Sequence, residues 1–279
     1  MGAVAVCGSV NMDVFGYVPR LPGPGETVPG SRLAYAPGGK GANQAVAAAR
    51  AGASVQFFGA CGRDAFGDTV AGALAADGIA LTGLERVDEP TGVALIMVED
   101  GGENQIVAIP GANAVVGEPP DGAGAAVWLT QGEVPLPAIR GALGRARAEG
   151  ATAIVNASPA GRIPTELVVE FDIALVNETE LEALGGDRPP QVILTLGRRG
   201  ARLLPDGREM PAFPARPVDT TGAGDALAGA TAALLAEGRP LDEAVRFGMA
   251  AAAVSVERDG CQPAMPGRGE IEQRLAGAA

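Results

Sequence analysis

Short apolar runs alternate with helix-like segments along most of the chain, and this alternation constrains the fold more than any other feature. Runs rich in Val, Ile, Leu and Ala occupy residues 3–7, 55–58, 127–130, 153–156, 173–176 and 192–195. Apolar and small residues recur at helical spacing in residues 44–51, 66–76, 138–148, 178–184, 226–236 and 241–254. This alternation predicts an α/β fold in which a mainly parallel central sheet is covered by helices on both faces.

Two segments break this rhythm and predict a second, smaller sheet. Residues 15–36 contain four prolines and several glycines, which exclude a helix and favour turns that join short strands. Residues 93–98 and 105–109 are predicted to form two strands around the turn-prone residues 99–104. Together these segments predict a small antiparallel sheet that projects from the main one. A flap of this kind covers a substrate or pairs with another subunit.

The charge of the chain argues against two classes of partner. The formal net charge is −12, and Lys and Arg are scattered rather than clustered. Nucleic-acid binding is not expected, because it requires a basic face that neutralises phosphates. The acidity also disfavours an anionic membrane surface, and no stretch approaches the ~20 apolar residues that span a bilayer.

The chain contains no histidine, and this absence narrows the available chemistry. It removes histidine general bases, Ser-His-Asp triads and histidine-ligated metals, so carboxylates, lysine or cysteine must carry any reaction. The cysteines, Cys7, Cys61 and Cys261, are far apart and form no C-x-x-C pair, which indicates neither disulfides nor a thiolate metal site. A reducing, cytoplasmic location fits this usage, and the first residues show no signal-peptide pattern.

The strongest motif is Asp219-Thr220-Thr221-Gly222-Ala223-Gly224-Asp225, which is followed directly by a helix of small residues. A glycine-rich turn at a helix N-terminus exposes unpaired backbone N–H groups and the positive end of the helix dipole, which favours anions. Asp225 would lie beside that anion, where a carboxylate with an ordinary pKa of about 3.9 can accept the proton of an attacking hydroxyl. The alternative interpretation is that Asp225 is only a first-turn acid that stabilises the helix.

A second glycine-rich turn, residues 37–45, also leads into a helix. Its glycines let a ligand approach the backbone, while Lys40 and Asn43 present donors that suit sugar hydroxyls or phosphate. A plain strand-to-helix connection could use the same glycines, so this motif alone is weaker.

Polar residues also follow several predicted strands. They are Asn11, Asp13, Glu133, Asn177 and Glu180. The carboxyl ends of parallel strands border the ligand crevice of an open α/β sheet, so we expect these side chains to line one site. Each of them could by itself be an ordinary turn residue.

Six motifs in this order resemble the ribokinases of the PfkB carbohydrate-kinase family. They are GSVNMD (8–13), PGET (24–27), GGKGANQA (38–45), NETE (177–180), TLG (195–197) and DTTGAGD (219–225). The resemblance runs from the first strand to Pro266. It implies one ribokinase-like domain over residues 1–279, a three-layer αβα sandwich with a small β-sheet lid. Residues 14–36 and 91–110 would form the lid, which in the family also pairs two subunits into a homodimer.

The resemblance also implies roles for individual residues. Asp225 would be the catalytic base, and the backbone N–H groups of Gly222, Ala223 and Gly224 would form an anion hole for the transferring phosphoryl group. The sugar contacts would come from Asn11, Asp13, Gly39, Lys40, Gly41, Ala42, Asn43, Glu133 and Asp225.

For the nucleotide, the resemblance implies ATP together with Mg²⁺. Asn177 and Glu180 would organise magnesium, water and phosphates. The nucleotide contacts would come from Thr195, Leu196, Gly197, Arg198, Arg199, Gly200, Gly224 and Met249. Met249 departs from the family pattern, which often has Asn or His near adenine, so we expect a more apolar and less base-selective site.

A monovalent cation, usually potassium, is implied beside the anion hole. Its ligands would be carboxylate or backbone carbonyl oxygens, which suit a hard cation. They would come from Asp219, Thr221, Ser255, Arg258 and Gly260. Ala264 stands where the family commonly has a serine, which bears on the strength of potassium activation. Residues 185–190 are shorter than is typical of the family but still allow a parallel crossover.

The leading expectation is transfer of the γ-phosphoryl group of ATP to the 5-hydroxyl of D-ribose. A related kinase could act instead on deoxyribose, another pentose, a hexose or a nucleoside, since one pocket contact can change the choice of sugar. A function of another class is a sugar or nucleotide sensor that has kept the fold and lost turnover. The intact Asp225, Asn177 and Glu180 favour catalysis. Residues 93–98 could pair with a second subunit or cover the site of a monomer.

Overall fold

Within residues 2–277, which the computed structural model describes, the chain forms two β-sheets and eight α-helices. The strands are β1 (Ala3–Cys7), β2 (Asn11–Val18), β3 (Arg32–Gly38), β4 (Ser54–Gly62), β5 (Ala80–Val87), β6 (Gly92–Glu99), β7 (Asn104–Ile109), β8 (Val127–Gln131), β9 (Thr152–Asn156), β10 (Ile173–Asn177), β11 (Gln191–Thr195), β12 (Ala201–Leu204) and β13 (Arg208–Met210). The helices are α1 (Lys40–Arg50), α2 (Ala65–Ala76), α3 (Leu136–Glu149), α4 (Thr165–Val168), α5 (Glu178–Leu184), α6 (Ala223–Ala236), α7 (Leu241–Ser255) and α8 (Arg268–Ala276). None of the helices in this part of the chain has the length and apolar character needed to cross a bilayer.

The larger sheet has nine strands in the order β13-β12-β11-β10-β9-β8-β1-β4-β5. The strands from β11 to β5 pair in parallel, and β12 and β13 extend one edge through antiparallel pairs. All the strands and helices predicted from the apolar runs are present. Strands β5, β12 and β13 and helices α4 and α8 were not predicted from the sequence. Strands β5 and β13 lie at the edges of the sheet, β12 has only four residues, and α4 and α8 are short or rich in charged residues, so the apolar period is weak in all of them.

Helices cover both faces of this sheet, as the alternation predicts. Along β1, Val4 and Val6 belong to one core, whereas Ala5 and Cys7 belong to the other. The first core packs α1, α2, α6, α7 and α8 against the sheet, and the second packs α3, α4 and α5. Only 4% of the residues are aromatic, so both cores are filled mainly by small and aliphatic side chains that let helices approach closely.

The smaller sheet has four strands in the order β3-β2-β6-β7 and is built from the two segments predicted to form a flap. Its outer pairs, β2–β3 and β6–β7, are antiparallel, as expected. The central pair, β2–β6, is parallel, so the sheet is mixed rather than wholly antiparallel. Strand β2 begins at Asn11, earlier than the predicted lid segment 14–36.

Helix α6 is held between α1 and α7 by glycines at both contacts. A Cβ atom at Gly229 would lie 2.3 Å from the carbonyl oxygen of Gln44. On the other side of α6, a Cβ atom at Gly248 would lie 2.6 Å from the carbonyl oxygen of Leu227. The position of α6 is therefore fixed closely, and with it the position of Asp225 in its first turn.

We predict that Gly229→Ala lowers the free energy of unfolding by about 1–3 kcal/mol, because the added methyl group forces α1 and α6 apart. The matched control is Gly72→Ala in α2, where an added Cβ meets no atom within 4 Å. Alanine gains helix propensity there, so the free energy of unfolding should rise by about 0.5–1 kcal/mol. Chemical denaturation measures both changes, and equal stability of the two variants would contradict the close approach.

Candidate active site

Asp225 is buried at the contact between α6 and α1, directly after a tight glycine turn. Gly222 precedes α6 with a φ of 75°, and a Cβ atom there would lie 2.1 Å from Sγ of Cys261, so the turn requires glycine. The space above Gly224 is open, since a Cβ atom there would meet nothing within 4 Å. Of the expected anion-hole donors, the N–H of Ala223 also donates to the carbonyl of Thr220 at 3.3 Å. The N-terminus of α6 is therefore accessible to an anion.

The turn before α1 is fastened to the loop after β1. Gly39 has a φ of 89°, and a Cβ atom at Gly41 would lie 2.6 Å from the nitrogen of Ser9. The N–H of Gly41 donates to Ser9 Oγ at 3.3 Å, and the N–H of Ala42 donates to the carbonyl of Ser9 at 2.9 Å. Gly41 and Ala42, expected as sugar contacts, thus use their N–H groups to hold the turn in place.

Four ionisable side chains from different parts of the fold converge beside this turn. They are Asp13 on β2, Lys40 at the start of α1, Glu133 after β8, and Asp225. Burial, reinforced by the charges of Glu133 and Asp225, raises the pKa of Asp13 to about 7. Burial also raises the pKa of Asp225, while the charge of Lys40 and two amide donors oppose that rise.

Lys40 is the only lysine in the sequence. Burial lowers its pKa, but the charges of Asp225, Glu133 and Glu180 outweigh burial, so the pKa is raised overall. Lys40 is therefore a cation at neutral pH, and it balances part of the negative charge that the carboxylates bring to the site.

Hydrogen bonds hold the remaining polar groups in position. Glu133 Oε2 accepts from Ser9 Oγ at 2.6 Å and from the N–H of Lys40 at 3.2 Å. Asn11 Oδ1 accepts from Nδ2 of Asn113 at 2.7 Å. A Cβ atom at Gly38 would lie 2.2 Å from Asp13 Oδ2, so glycine is needed where β3 passes that carboxylate. The structure thus brings together the expected sugar contacts Asn11, Asp13, Gly39, Lys40, Asn43, Glu133 and Asp225.

A cavity of about 520 Å³ opens beside the N-terminus of α6. Of the expected nucleotide contacts, its walls contain Thr195, Gly197, Arg198, Gly200, Gly224 and Met249. Two others lie outside the walls. Leu196 packs against the second core, and Arg199 donates to Glu178 Oε1 at 2.6 Å.

Asn177 and Glu180 form the capping box of α5. Asn177 Oδ1 accepts from the N–H of Glu180, and Glu180 Oε2 accepts from the N–H of Asn177, both at 2.8 Å. This arrangement satisfies two N–H groups at the start of the helix. Glu180 is buried and lies close enough to Lys40 to influence its pKa. The pair therefore stabilises α5 and also borders the charged site.

Asp219 ties the turn before α6 to the loop after α7. Its Oδ1 accepts from the N–H of Thr221 at 2.9 Å, and its Oδ2 accepts from the N–H of Gly260 at 3.1 Å. Ser255 is buried at the end of α7, where its carbonyl accepts from the N–H of Arg258 at 3.1 Å. The expected cation ligands thus share one loop cluster. Among residues 2–277, no group of three or more His, Cys, Asp or Glu side chains is arranged to hold a metal ion.

Five buried polar residues complete the site and had no predicted role. They are Ser9, Gln44, Asn113, Gln131 and Gln262. Ser9 and Gln44 lie within the motifs GSVNMD and GGKGANQA. Gln131 ends β8, so its position at the carboxyl end of a parallel strand could have indicated a place in the site. Asn113 and Gln262 carry no local signal, because they bind Val10 and Asn43, which are 103 and 219 residues away.

Comparison with known proteins identifies the family of this fold and site. Residues 1–268 match the profile of the pfkB family carbohydrate kinases. The chain belongs to this family. A ribokinase from Haemophilus influenzae is 38% identical over 299 aligned residues, which cover 98% of this chain and 98% of that protein.

Solved structures of ribokinases agree with the architecture. A ribokinase from Thermotoga maritima has a TM-score of 0.90 at 34% identity, covering 99% of this chain and 100% of that one. A ribokinase from Arabidopsis thaliana, complexed with ribose and ATP, has a TM-score of 0.90 at 32% identity and 98% coverage of both chains. The expected three-layer sandwich with its small sheet is therefore confirmed.

Proposed function

We propose that this pfkB-family kinase transfers the γ-phosphoryl group of ATP to the 5-hydroxyl of D-ribose and releases ribose 5-phosphate. The observation that carries this proposal is the position of Asp225. Its carboxylate accepts hydrogen bonds from Asn43 and Gln44 of the turn before α1, while its neighbour Gly224 lines the large cavity. The first turn of α6 thus joins the two halves of the site. Similarity to a ribokinase that holds ribose and ATP supports this pair of ligands.

Asp225 is the general base of the proposed reaction. Its carboxylate accepts the proton of the attacking hydroxyl, so that the oxygen can attack the γ-phosphorus in line. The N–H groups of Gly222, Ala223 and Gly224 stabilise the charge of the transferring phosphoryl group. Lys40 offsets part of the negative charge that the carboxylates and the phosphates bring together.

The sugar is held by polar side chains from both the main sheet and the lid. Asn11 and Asp13 belong to β2 of the smaller sheet, the whole of which is the lid of the proposed enzyme, whereas Glu133 follows β8 of the main sheet. Movement of the lid against the main sheet would therefore tighten or loosen the sugar contacts. A closed lid also excludes water that would otherwise hydrolyse ATP.

The oxygen donors of two clusters fit the cations that such a reaction uses. Asn177 and Glu180 would hold Mg²⁺ together with water and phosphates, because Glu180 commits only Oε2 to the capping box. Asp219, Thr221, Ser255, Arg258 and Gly260 would hold K⁺ through carboxylate and carbonyl oxygens. Bound cations supply positive charge beside the phosphates. Ala264 is fully buried and adds no hydroxyl to the second cluster.

We expect ADP release that depends on both ATP and D-ribose in the presence of Mg²⁺, and that is faster with K⁺ than without it. Asp225→Asn should lower kcat by a factor of about 10²–10⁴, because an amide does not accept the hydroxyl proton. The matched control is Asp121→Asn, at an exposed aspartate that pairs with Arg145, and it should leave kcat unchanged. A coupled assay of ADP release measures each rate.

Different outcomes of this assay would contradict different parts of the proposal. Absence of ribose-dependent turnover would overturn the ribose assignment, and a panel of deoxyribose, other pentoses, hexoses and nucleosides would then identify the substrate. Absence of turnover with every member of that panel would favour a sugar or nucleotide sensor without catalytic activity. Equal rates for the wild type and Asp225→Asn would exclude the general base, and equal rates with and without K⁺ would exclude the potassium site.

The cavity wall formed by α7 and the residue that follows it is apolar. Met249, Ala252, Ala253 and Val256 line it. In the proposed enzyme the adenine of ATP lies against this wall. An apolar wall contacts any purine, whereas strong discrimination between bases needs side chains that bond to their polar edges.

GTP should therefore replace ATP with a kcat/KM within about tenfold of the ATP value. Met249→Asn introduces an amide at the wall and should widen the difference between the two nucleotides while leaving the KM for ribose unchanged. Steady-state rates with each nucleotide measure this. If the kcat/KM of the wild type for ATP is at least about a hundredfold higher than that for GTP, the proposal that adenine lies against an apolar wall is contradicted.

The lid presents an exposed apolar face on the side away from Asn11 and Asp13. Its strand register places five apolar side chains on this face, each 42–60% exposed. They are Leu33, Tyr35, Leu95, Val107 and Ile109. A monomer would leave this continuous apolar surface in water, so in the proposed enzyme it pairs with the same surface of a second copy.

Val107→Glu should convert the homodimer into a monomer, because a two-fold interface would bring the new charge in from both subunits. The matched control is Ile106→Glu, one residue away on the opposite face of the lid, and it should leave the dimer intact. Light scattering coupled to size-exclusion chromatography measures the mass. A monomeric wild type, or a dimer that persists in Val107→Glu, would contradict this interface.

A further inference from the structure

Four buried amide side chains form two arms around the carboxylate of Asp225. On the first arm, Gln131 Nε2 donates to Gln44 Oε1 at 2.8 Å, and Gln44 Nε2 donates to Asp225 Oδ1 at 2.9 Å. On the second arm, Gln262 Nε2 donates to Asn43 Oδ1 at 3.1 Å, and Asn43 Nδ2 donates to Asp225 Oδ2 at 3.1 Å. Each carboxylate oxygen thus accepts from an inner amide that is itself held by an outer amide. These four amides are called the amide clamp below.

The amide groups of the clamp are oriented as an ionised Asp225 requires. An ionised carboxylate accepts hydrogen bonds and donates none, so both inner amides must turn their NH₂ groups toward it. Their oxygens then face outward, where the NH₂ groups of Gln131 and Gln262 satisfy them. Protonation of Asp225 would set an O–H against one of the inner NH₂ groups, and an unpaired buried donor costs free energy.

Stability of the fold alone does not account for the amide clamp. Gln44 and Gln131 are 0% exposed, and Gln262 is 5% exposed, so an apolar side chain of similar length could fill each position without needing partners. Gln131 Oε1 has no hydrogen-bond partner among the residues that the structure describes. Leaving that oxygen unpaired costs free energy. The side chain of Gln131 nevertheless adopts the orientation in which its Nε2 donates to Gln44 Oε1.

Other titratable groups face Asp225 from the elements packed around it. The charged ones are Asp13 on β2, Lys40 on α1 and Glu133 after β8. Cys261, before the 3₁₀ turn Gln262–Ala264, also lies near, but burial raises the pKa of its thiol, which is therefore neutral. Burial and the negative charge of Glu133 raise the pKa of Asp225 and so disfavour its ionised form, whereas the charge of Lys40 favours that form. The donors of the amide clamp act in the same direction as Lys40, because hydrogen bonds to the charged form stabilise that form.

We propose that Gln44, Gln131 and Gln262 are positioning residues for phosphoryl transfer. Together with Asn43 they hold the carboxylate of Asp225 in one orientation and in its proton-accepting state. The outer pair acts through the inner pair, by fixing which end of each inner amide faces the carboxylate. This inference rests on the proposed role of Asp225 as the general base.

The test is the pH dependence of kcat/KM for the sugar in Gln44→Met, Gln131→Met and Gln262→Met. Methionine keeps the length of the side chain and removes the N–H donors. The acid limb of the profile reports ionisation of the free enzyme. We expect it to move to higher pH by about one unit in Gln44→Met, with smaller upward shifts in the two outer variants. Activity should therefore be lost mainly at low pH and recover as the pH rises.

Gln56→Met is the matched control. Gln56 Nε2 donates to the carbonyl of Ala123 at 2.6 Å, away from Asp225, so this variant should leave the acid limb in place. A shift in Gln44→Met is assigned to Asp225, because the side chain of Gln44 bonds to Asp225 and Gln131. Thermal melting of each variant separates loss of fold from loss of positioning, since lower stability alone does not move the acid limb.

Folded variants that lose activity equally at every pH, or lose none, would overturn this proposal. Failure of all three variants to fold would overturn it as well, because the amides would then be structural. One folded variant with a shifted acid limb supports it, since the two arms are independent. A wild type that is active on a sugar other than ribose permits the same comparison with that sugar. If the wild type turns over no sugar, the proposed function fails and this inference fails with it.

Discussion

Burial of the Asp225 carboxylate between α1 and α6 is the constraint on which the rest of the site depends. A carboxylate held out of water is destabilised as an ion unless donors and opposite charge surround it. Lys40 and the inner amides of the amide clamp supply both. They can do so because glycine at position 229 lets α1 approach α6 closely enough for its side chains to reach the carboxylate. Helix packing and the acidity of the proposed base are therefore set by the same contact.

The main sheet determines how far apart the two ligand regions lie. The sugar-side residues follow β1 and β8, which are neighbours, whereas Asn177 and Thr195 end β10 and β11. Strands β1 and β11 are four positions apart in the sheet order, a separation of about 19 Å at about 4.8 Å per strand. The first turn of α6 contacts both regions, because Asp225 bonds to α1 while Gly224 lines the cavity. A single helix N-terminus can thus bring a sugar hydroxyl and a phosphate together.

Sequence patterns predicted those parts of the fold that are determined by residues close together in the chain. The spacing of apolar residues predicted the central strands and most of the helices. The glycine-rich turns predicted the N-termini of α1 and α6, the two helices that border the site. Contacts across the chain were beyond such patterns: Gln131 meets Gln44 over 87 residues, and Gln262 meets Asn43 over 219. The parallel pairing of β2 with β6 was missed for the same reason, since alternation within a strand does not say which strand lies beside it.

The absence of histidine from the chain helps to explain why the charged site contains a lysine. Without histidine, the proposed proton acceptor is a carboxylate, and the neighbouring carboxylates make a cation necessary. Elsewhere arginine supplies the cation, as where Arg50 binds Asp77 through two nitrogens, yet position 40 carries the only lysine. A guanidinium would hold one carboxylate through its planar fork, whereas an ammonium is a compact point charge that several acceptors can share. Each oxygen of Asp225 already accepts one hydrogen bond, from Gln44 or Asn43, and can accept a second. Lys40 can therefore stabilise the ionised form of Asp225 through its charge without filling the second acceptor position on both oxygens, which leaves one of them free to take a proton.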